Sequence, residues 1–163
     1  MPVIIDGYNL LRLVQKIEQF EYLDEVGLCR ILSDYLRYIQ DHGHVVFDGT
    51  GPRDKSDFDL LGDLAAIEVY FSGADYSADD VIEEKIADST APSSLVIVSS
   101  DRVLRRAAAE KKAVSVKSDI FWNGLVTLLE TRRKPVYEPK AKQKGITDPE
   151  ADQWLGFFGI KND

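Results

Sequence analysis

Six aspartates and one asparagine stand where short apolar runs end. Asp6 closes PVIID and Asp48 closes HVVFD; Asp75, Asp79 and Asp80 follow AIEVYF, Asp101 lies two residues beyond LVIVS, and Asn9 comes three residues after Asp6. Carboxylates gathered without matching Lys or Arg repel one another and raise each other's pKa. A divalent cation relieves that cost, and oxygen donors without cysteine or convergent histidine select Mg²⁺ or Mn²⁺ over zinc. A metal held there lowers the pKa of its water and polarises a phosphoryl oxygen, which is the chemistry of phosphodiester hydrolysis. Single members of the set also have structural readings. Asp101 suits the N-cap of a helix starting at Arg102, and Asp80 suits the third position of a capping box opened by Ser77. Asp6 and Asp48 resist that reading, because each ends an apolar run. Taken together, the set argues for an acidic metal site.

The elements that must position these residues alternate between strand and helix. Residues 2–6 form a short run rich in β-branched residues, the pattern of a strand buried on both faces. Asp24 is a plausible N-cap for a helix carrying Ile31, Leu32, Tyr35, Leu36 and Ile39 at helical spacing, with Gly43 where a stop belongs. Residues 44–48 read as a second strand, 49–56 as a loop, 57–65 as a short helix and 66–71 as a third strand. After the loop SGADYS, the Ser77–Asp80 capping box opens a helix to about Asp88. A strand over 95–99, a helix over 101–112, a short strand over 114–117 and a helix capped by Ser118 or Asp119 and ending near Glu130 complete the series. Such alternation predicts a parallel sheet covered by helices on both faces. Ligands of such sheets bind beyond the carboxyl ends of the strands, where the aspartates fall.

Composition bounds the function. The chain has 163 residues, 44% hydrophobic and 29% charged, which is globular and of one domain's size. Its net charge of −8 is uneven: residues 1–130 hold 13 Lys and Arg against 23 Asp and Glu, residues 131–147 hold six against one, and residues 148–163 hold one against four. The division is therefore a domain over 1–130, followed over 131–163 by a basic linker with Pro135 and Pro139 and an aromatic tail, WLGFFGI. An acidic body does not hold nucleic acid by net charge, since that affinity comes from neutralised phosphates. Metal on the carboxylates and the basic stretch would have to compensate. Cys29 is the single cysteine, which excludes an internal disulfide framework and fits a reducing compartment. The N-terminus lacks the charged start and the long apolar run of a signal peptide, and no run approaches the roughly 20 apolar residues of a membrane helix. A cytoplasmic protein is expected.

The remaining candidates read as structural. GTGPR lacks the lysine and Ser/Thr of a phosphate-binding P-loop. His42 and His44 belong on the surface of a helix–strand junction, Cys29 in the core, and Tyr35 and Tyr38 on helix surface. Arg102, Arg105 and Arg106 open the helix after Asp101, where the helix dipole disfavours cations. Beside a carboxylate rim they either neutralise Asp101 or hold a substrate phosphate.

Four segments in this order, IIDGYNLL, VVFDGTG, ADYSADDVIEEKI and VIVSSDRVLRRAA, resemble the YacP-like branch of the NYN domains, relatives of the PIN-domain nucleases, from residue 2 to residue 125. The resemblance implies a three-layer α/β/α sandwich with a central parallel sheet. It also implies an acidic cluster that binds Mg²⁺ or Mn²⁺ and endonucleolytic cleavage of RNA in bacterial RNA decay or processing. Asp6 and Asn9 match the DGYN motif, Asp48 the acidic position of strand two, and Asp79 the acidic residue opening the helix after strand three. Asp80 matches the adjacent carboxylate, often Glu in the family, and Asp101 the serine–aspartate motif after strand four. On this basis Asp6, Asp79, Asp101 and Asn9 are expected to be catalytic, and Asp6, Asp48, Asp79, Asp80 and Asp101 to hold metal. RNA, free or on the ribosome, is the expected partner. Arg53, Lys55, Arg102 and Arg105 are candidates for flanking phosphates, and Arg132, Arg133 and Lys134 for recruiting RNA. Two other readings stay open: a non-catalytic RNA- or ribosome-binding adaptor, and a metal-dependent phosphatase or DNA nuclease on the same rim.

Overall fold

A strand covered on both faces has to be apolar along its whole length, and residues 3–5, 45–47 and 96–98 meet that condition and are buried. The computed structural model describes residues 2–58 and 66–133. Its strands are β1 (Val3–Asp6), β2 (Gly43–Phe47), β3 (Ile67–Phe71), β4 (Val96–Val98) and β5 (Val114–Val116). They form one parallel sheet in the order β3-β2-β1-β4-β5. The helices are α1 (Gly7–Val14), α2 (Glu25–Tyr38), α3 (Ala78–Asp88), α4 (Arg102–Glu110) and α5 (Ser118–Arg133), with single 3₁₀ turns at Glu18–Phe20 and Pro92–Ser94.

Alternate strand residues divide between two cores, as the pleat requires. Val3, Ile5, Val45, Phe47, Val96 and Val98 pack with residues of α1, α2 and α5. Ile4, Val46 and Ile97 pack instead with residues of α3 and α4. These are the three layers of the sandwich. The chain builds from the central β1 outward to β2 and β3, then returns to add β4 and β5 on the other side. Register pairs Asp6 with Val46 and Ile5 with Val98, so the carboxyl ends of β1, β2 and β4 share one edge. The direction of building reverses beside β1, which makes that edge the expected ligand crevice.

Several local features differ from the sequence expectation. Helix α1 follows β1 without a loop, over residues to which the sequence pattern assigns no element. Gly7 permits the junction: a Cβ there would lie 2.5 Å from Phe47 Cδ1 and 3.0 Å from the Val46 carbonyl oxygen. Helix α2 is stopped by Gln40, left-handed at φ 57°, rather than by Gly43. The Gln40 N–H donates to the Arg37 carbonyl and the Asp41 N–H to the Leu36 carbonyl, the paired bonds of a Schellman cap. Gly43 opens β2 instead. Lys112, at φ 60°, repeats the cap after α4. Tyr35 does not cover surface; it is fully buried, with its ring edge-on to Phe121 at 5.6 Å. Cys29 lies in the core as expected, its thiol pushed up to about 12 by burial. Ser118 is the first residue of α5 rather than its cap, and the helix runs to Arg133. Of the helix expected over 57–65, residues 56–58 are helical and 59–65 lie outside the described residues.

Candidate functional site

The site begins where β1 ends. Asp6 follows the strand alternation onto the face covered by α3 and α4, and it is only 8% exposed. Its Oδ2 accepts a hydrogen bond from the Ser99 hydroxyl at 2.9 Å. Burial pushes its pKa up and the Asp101 charge adds to the rise, against the Ser99 hydroxyl, the Asn9 backbone N–H and Arg12. Ser99 is fully buried at the end of β4, and its Oγ also accepts the Asp101 N–H at 3.1 Å. One hydroxyl therefore ties the end of β1 to the turn after β4. Asp101 then caps α4, accepting the Val103 N–H at 2.7 Å.

Asp79 sits in the first turn of α3. Its carboxyl is pushed up to about 6, first by burial and then by the charges of Asp6, Asp101, Glu83 and Asp48. Asp48, just past β2, accepts the Ala78 N–H at 3.0 Å, so it holds the start of the same helix. Four of the sequence-derived carboxylates, Asp6, Asp48, Asp79 and Asp101, thus meet at one edge of the sheet. The N-termini of α3 and α4 open there too, and their dipoles favour anions. Glu83 joins the group, one turn along α3 from Asp79; the i, i+4 spacing is its only signal in the sequence. The structure leaves Asp80 outside. Its Oδ2 accepts both the Ser77 N–H and the Ser77 hydroxyl at 2.9 Å, completing the capping box, and these bonds hold its pKa down. Asp75 is exposed and is not among the groups acting on Asp79.

Asn9 supports the site as a clamp. Its Oδ1 accepts the Ser100 N–H at 3.0 Å and the Ser118 hydroxyl at 2.6 Å, while Ser100 Oγ accepts the Ser118 N–H at 3.1 Å. Helix α1, the turn after β4 and the start of α5 are fixed by this one amide. The sequence alone gives Ser99 and Ser118 no part in the site, and Ser100 only its place before Asp101 in the serine–aspartate motif, since a serine at a strand end carries no mark of its partner.

The cations divide by position. Arg102 is exposed at the first position of α4, beside the carboxylates, and Arg105 is half-buried one turn on. Arg53 and Lys55 lie in the loop after β2, with Lys55 Nζ 5.0 Å above the Phe71 ring. Arg132 and Arg133 are not brought to the edge. Arg132 lies fourteen helical steps beyond Ser118, about 21 Å at 1.5 Å per residue. Arg132 lies over Tyr38, at the end of α2. Lys134 falls outside the described residues. Both histidines lie around the start of β2, at the opposite edge of the sheet. On the α1 and α2 side of the site, an open groove of about 460 Å³ runs past Tyr8, Gly51, Pro52 and Phe58. Its charged lining is Asp24, Glu25, Asp54 and Asp57, with no Lys or Arg, so it repels phosphate.

Among the described residues, no three Asp, Glu, His or Cys side chains close around one point as a ready set of metal ligands. What the group does show is all-oxygen donors with too little positive charge. That donor chemistry fits a hard divalent cation held partly through its own water.

The chain matches the YacP-like NYN domain over residues 3–154. Two solved structures share its fold. The crystal structure of Rae1 (YacP) from Bacillus subtilis is 18% identical, covering 81% of this chain and 77% of that one at a TM-score of 0.64. The crystal structure of a point mutant of that protein is 20% identical, covering 80% and 77% at a TM-score of 0.58. No curated protein matches the chain.

Proposed function

Because the chain belongs to the YacP-like NYN domain family, which is PIN-like and nuclease-related, we propose that it is a metal-dependent endoribonuclease hydrolysing RNA phosphodiester bonds. The observation that carries the reading is the convergence of Asp6, Asp48, Asp79 and Asp101 on one sheet edge without matching cations. Asp6, Asp79 and Asp101, with Asp48 in support, would hold Mg²⁺ or Mn²⁺, which would supply water activation and charge compensation on the phosphoryl oxygens. The chain supplies positioning. Ser99 fixes the carboxylate of Asp6, and Asn9 fixes the turn that carries Asp101. The N-termini of α3 and α4 favour the incoming phosphate, and Arg102 stands beside it for a neighbouring one.

The test is incubation of the full chain with a mixture of structured and single-stranded RNA in Mg²⁺, Mn²⁺ or EDTA. Internal cuts are expected only with metal, and Asp6→Asn is expected to remove nearly all of them while the fold persists. Asparagine keeps the volume of Asp6 and removes its share of the repulsion. The open spacing of the carboxylates favours a second reading, a non-catalytic RNA-binding module. Metal-independent RNA binding without any cleavage would establish that one.

A further inference from the structure

Among the described residues, four large apolar side chains stand out in solvent: Tyr22 at 90% exposure, Tyr76 at 66%, Val103 at 59% and Tyr38 at 45%. Two of them bracket the carboxylates. Tyr76 immediately precedes Ser77, the cap of α3, and comes three residues before Asp79. Val103 is in the first turn of α4, its N–H held by Asp101. Helices α3 and α4 share one core through Ile82, Ile86, Leu104 and Ala108, so their N-terminal ends lie side by side. They cover the face of the sheet onto which Asp6 projects.

The fold makes little use of either side chain. The residue before an N-cap usually packs on the fourth helical residue, here Val81, yet the Tyr76 ring stays mostly in water. A β-branched apolar residue in an exposed first turn is likewise a poor local choice, since small polar or acidic residues serve the helix better there. Sites where local rules fail are where function is expected. Carboxylates surround Tyr76, with Asp75, Asp80, Glu83 and Glu84 all exposed, and the exposed cations on this side are Arg102 and Arg106 of α4; the groove on the α1 and α2 side has no Lys or Arg in its lining.

We propose that Tyr76 is a stacking shelf for one unpaired base of the RNA next to the cut, with Arg102 on a neighbouring phosphate. The proposal rests on the nuclease reading above. A ring can take a base only when that base has left its own stack, so the shelf works on RNA that is unpaired at that position. It also offsets the weak phosphate affinity of an acidic body, because stacking does not depend on net charge. Tyr76 is thus a positioning residue that sets where the strand lies relative to the carboxylates.

The experiment measures binding of a labelled unstructured RNA decamer to the full chain in EDTA, and cleavage of the same RNA in Mg²⁺ or Mn²⁺. Tyr76→Ala is expected to weaken binding at least about fivefold, the lower end for loss of one stacked base. Tyr76→Phe and Tyr76→Trp are expected to restore it, and the cleavage loss to fall on KM more than on kcat. Tyr22→Ala, at the ring most exposed among the described residues, is the control and is expected to bind normally. Normal binding by Tyr76→Ala, failure of Tyr76→Phe to restore it, or an equal loss in Tyr22→Ala overturns the shelf while cleavage by the parent protein upholds the nuclease reading. A parent protein that binds the decamer but never cuts overturns the nuclease reading and leaves the Tyr76 comparison to judge the shelf. One that neither binds nor cuts overturns both.

Discussion

Asp79 is the residue through which pH should act on the metal-free protein. Its folded pKa of about 6 lies above the ordinary carboxylate value of 3.8. The folded state therefore holds the proton more tightly than the unfolded one, and this stabilisation is complete below about pH 4 and lost as pH rises through 6. Asp6, also shifted upward, works in the same direction, while His44, lowered by burial and then by Lys85, opposes the two carboxyls below its ordinary value of 6.5. Thermal melts in EDTA should thus give a higher Tm at pH 5 than at pH 8. Asp79→Asn should raise the pH 8 value by roughly 2–5 °C, for a free-energy gain on the order of 1 kcal/mol after allowance for solvent screening. Added Mg²⁺ or Mn²⁺ should reduce the dependence in the parent. A flat profile in the parent would show that the carboxylates do not repel as described. The carboxylates Asp6, Asp48, Asp79 and Asp101 are legible in the sequence because each follows an apolar run. Glu83 and the serines are not, because their partners are set by tertiary folding: Ser99 meets Asp6 across 93 residues and Ser118 meets Asn9 across 109.

Strand β1 passes into helix α1 with no connecting residue, so the position of Asp6 depends on the closeness of Gly7 to Phe47. Gly7→Ala should cost about 1–3 kcal/mol by overpacking and reduce cleavage with it, read by denaturant melts and the RNA assay. A neutral effect on both would show that Phe47 yields freely. The opposite sign is expected at the end of α4. Lys112 holds a left-handed conformation that glycine adopts without steric cost, so Lys112→Gly should stabilise by about 1 kcal/mol in the same melts. The strands are legible because a sheet covered on both faces leaves an uninterrupted apolar signature. Helix α1 is not, because eight residues starting at Gly7 give the periodicity little room, and a glycine followed closely by an asparagine suggests a turn. The caps at Gln40 and Lys112 are hidden because neither residue type advertises a left-handed backbone, and Gly43 draws the expected stop to itself.

The charge of the whole chain is divided between an acidic body and a basic stretch over 131–147. Arg132 and Arg133 belong to the last turn of α5, at the edge opposite the carboxylates, so they do not serve the cut directly. Replacing Lys134, Lys140, Lys142 and Lys144 by glutamine in the full chain should weaken RNA binding and flatten its salt dependence, by roughly 0.7 in the log–log slope for each single-strand phosphate no longer neutralised. Cleavage of a short RNA at saturating concentration should survive. An unchanged slope would show that this stretch does not recruit RNA. The sheet order has a consequence in time as well as in space. The central strand β1 is synthesised before the other four described strands, and its neighbour Asn9 waits for Ser118, at the start of the last described element, before the turn carrying Asp101 is clamped. A nascent chain can assemble β1, β2 and β3 early, but Asp101, the last member of the acidic edge, arrives only after the return strand β4. Synthesis from N- to C-terminus therefore withholds the finished site until most of the domain has been made.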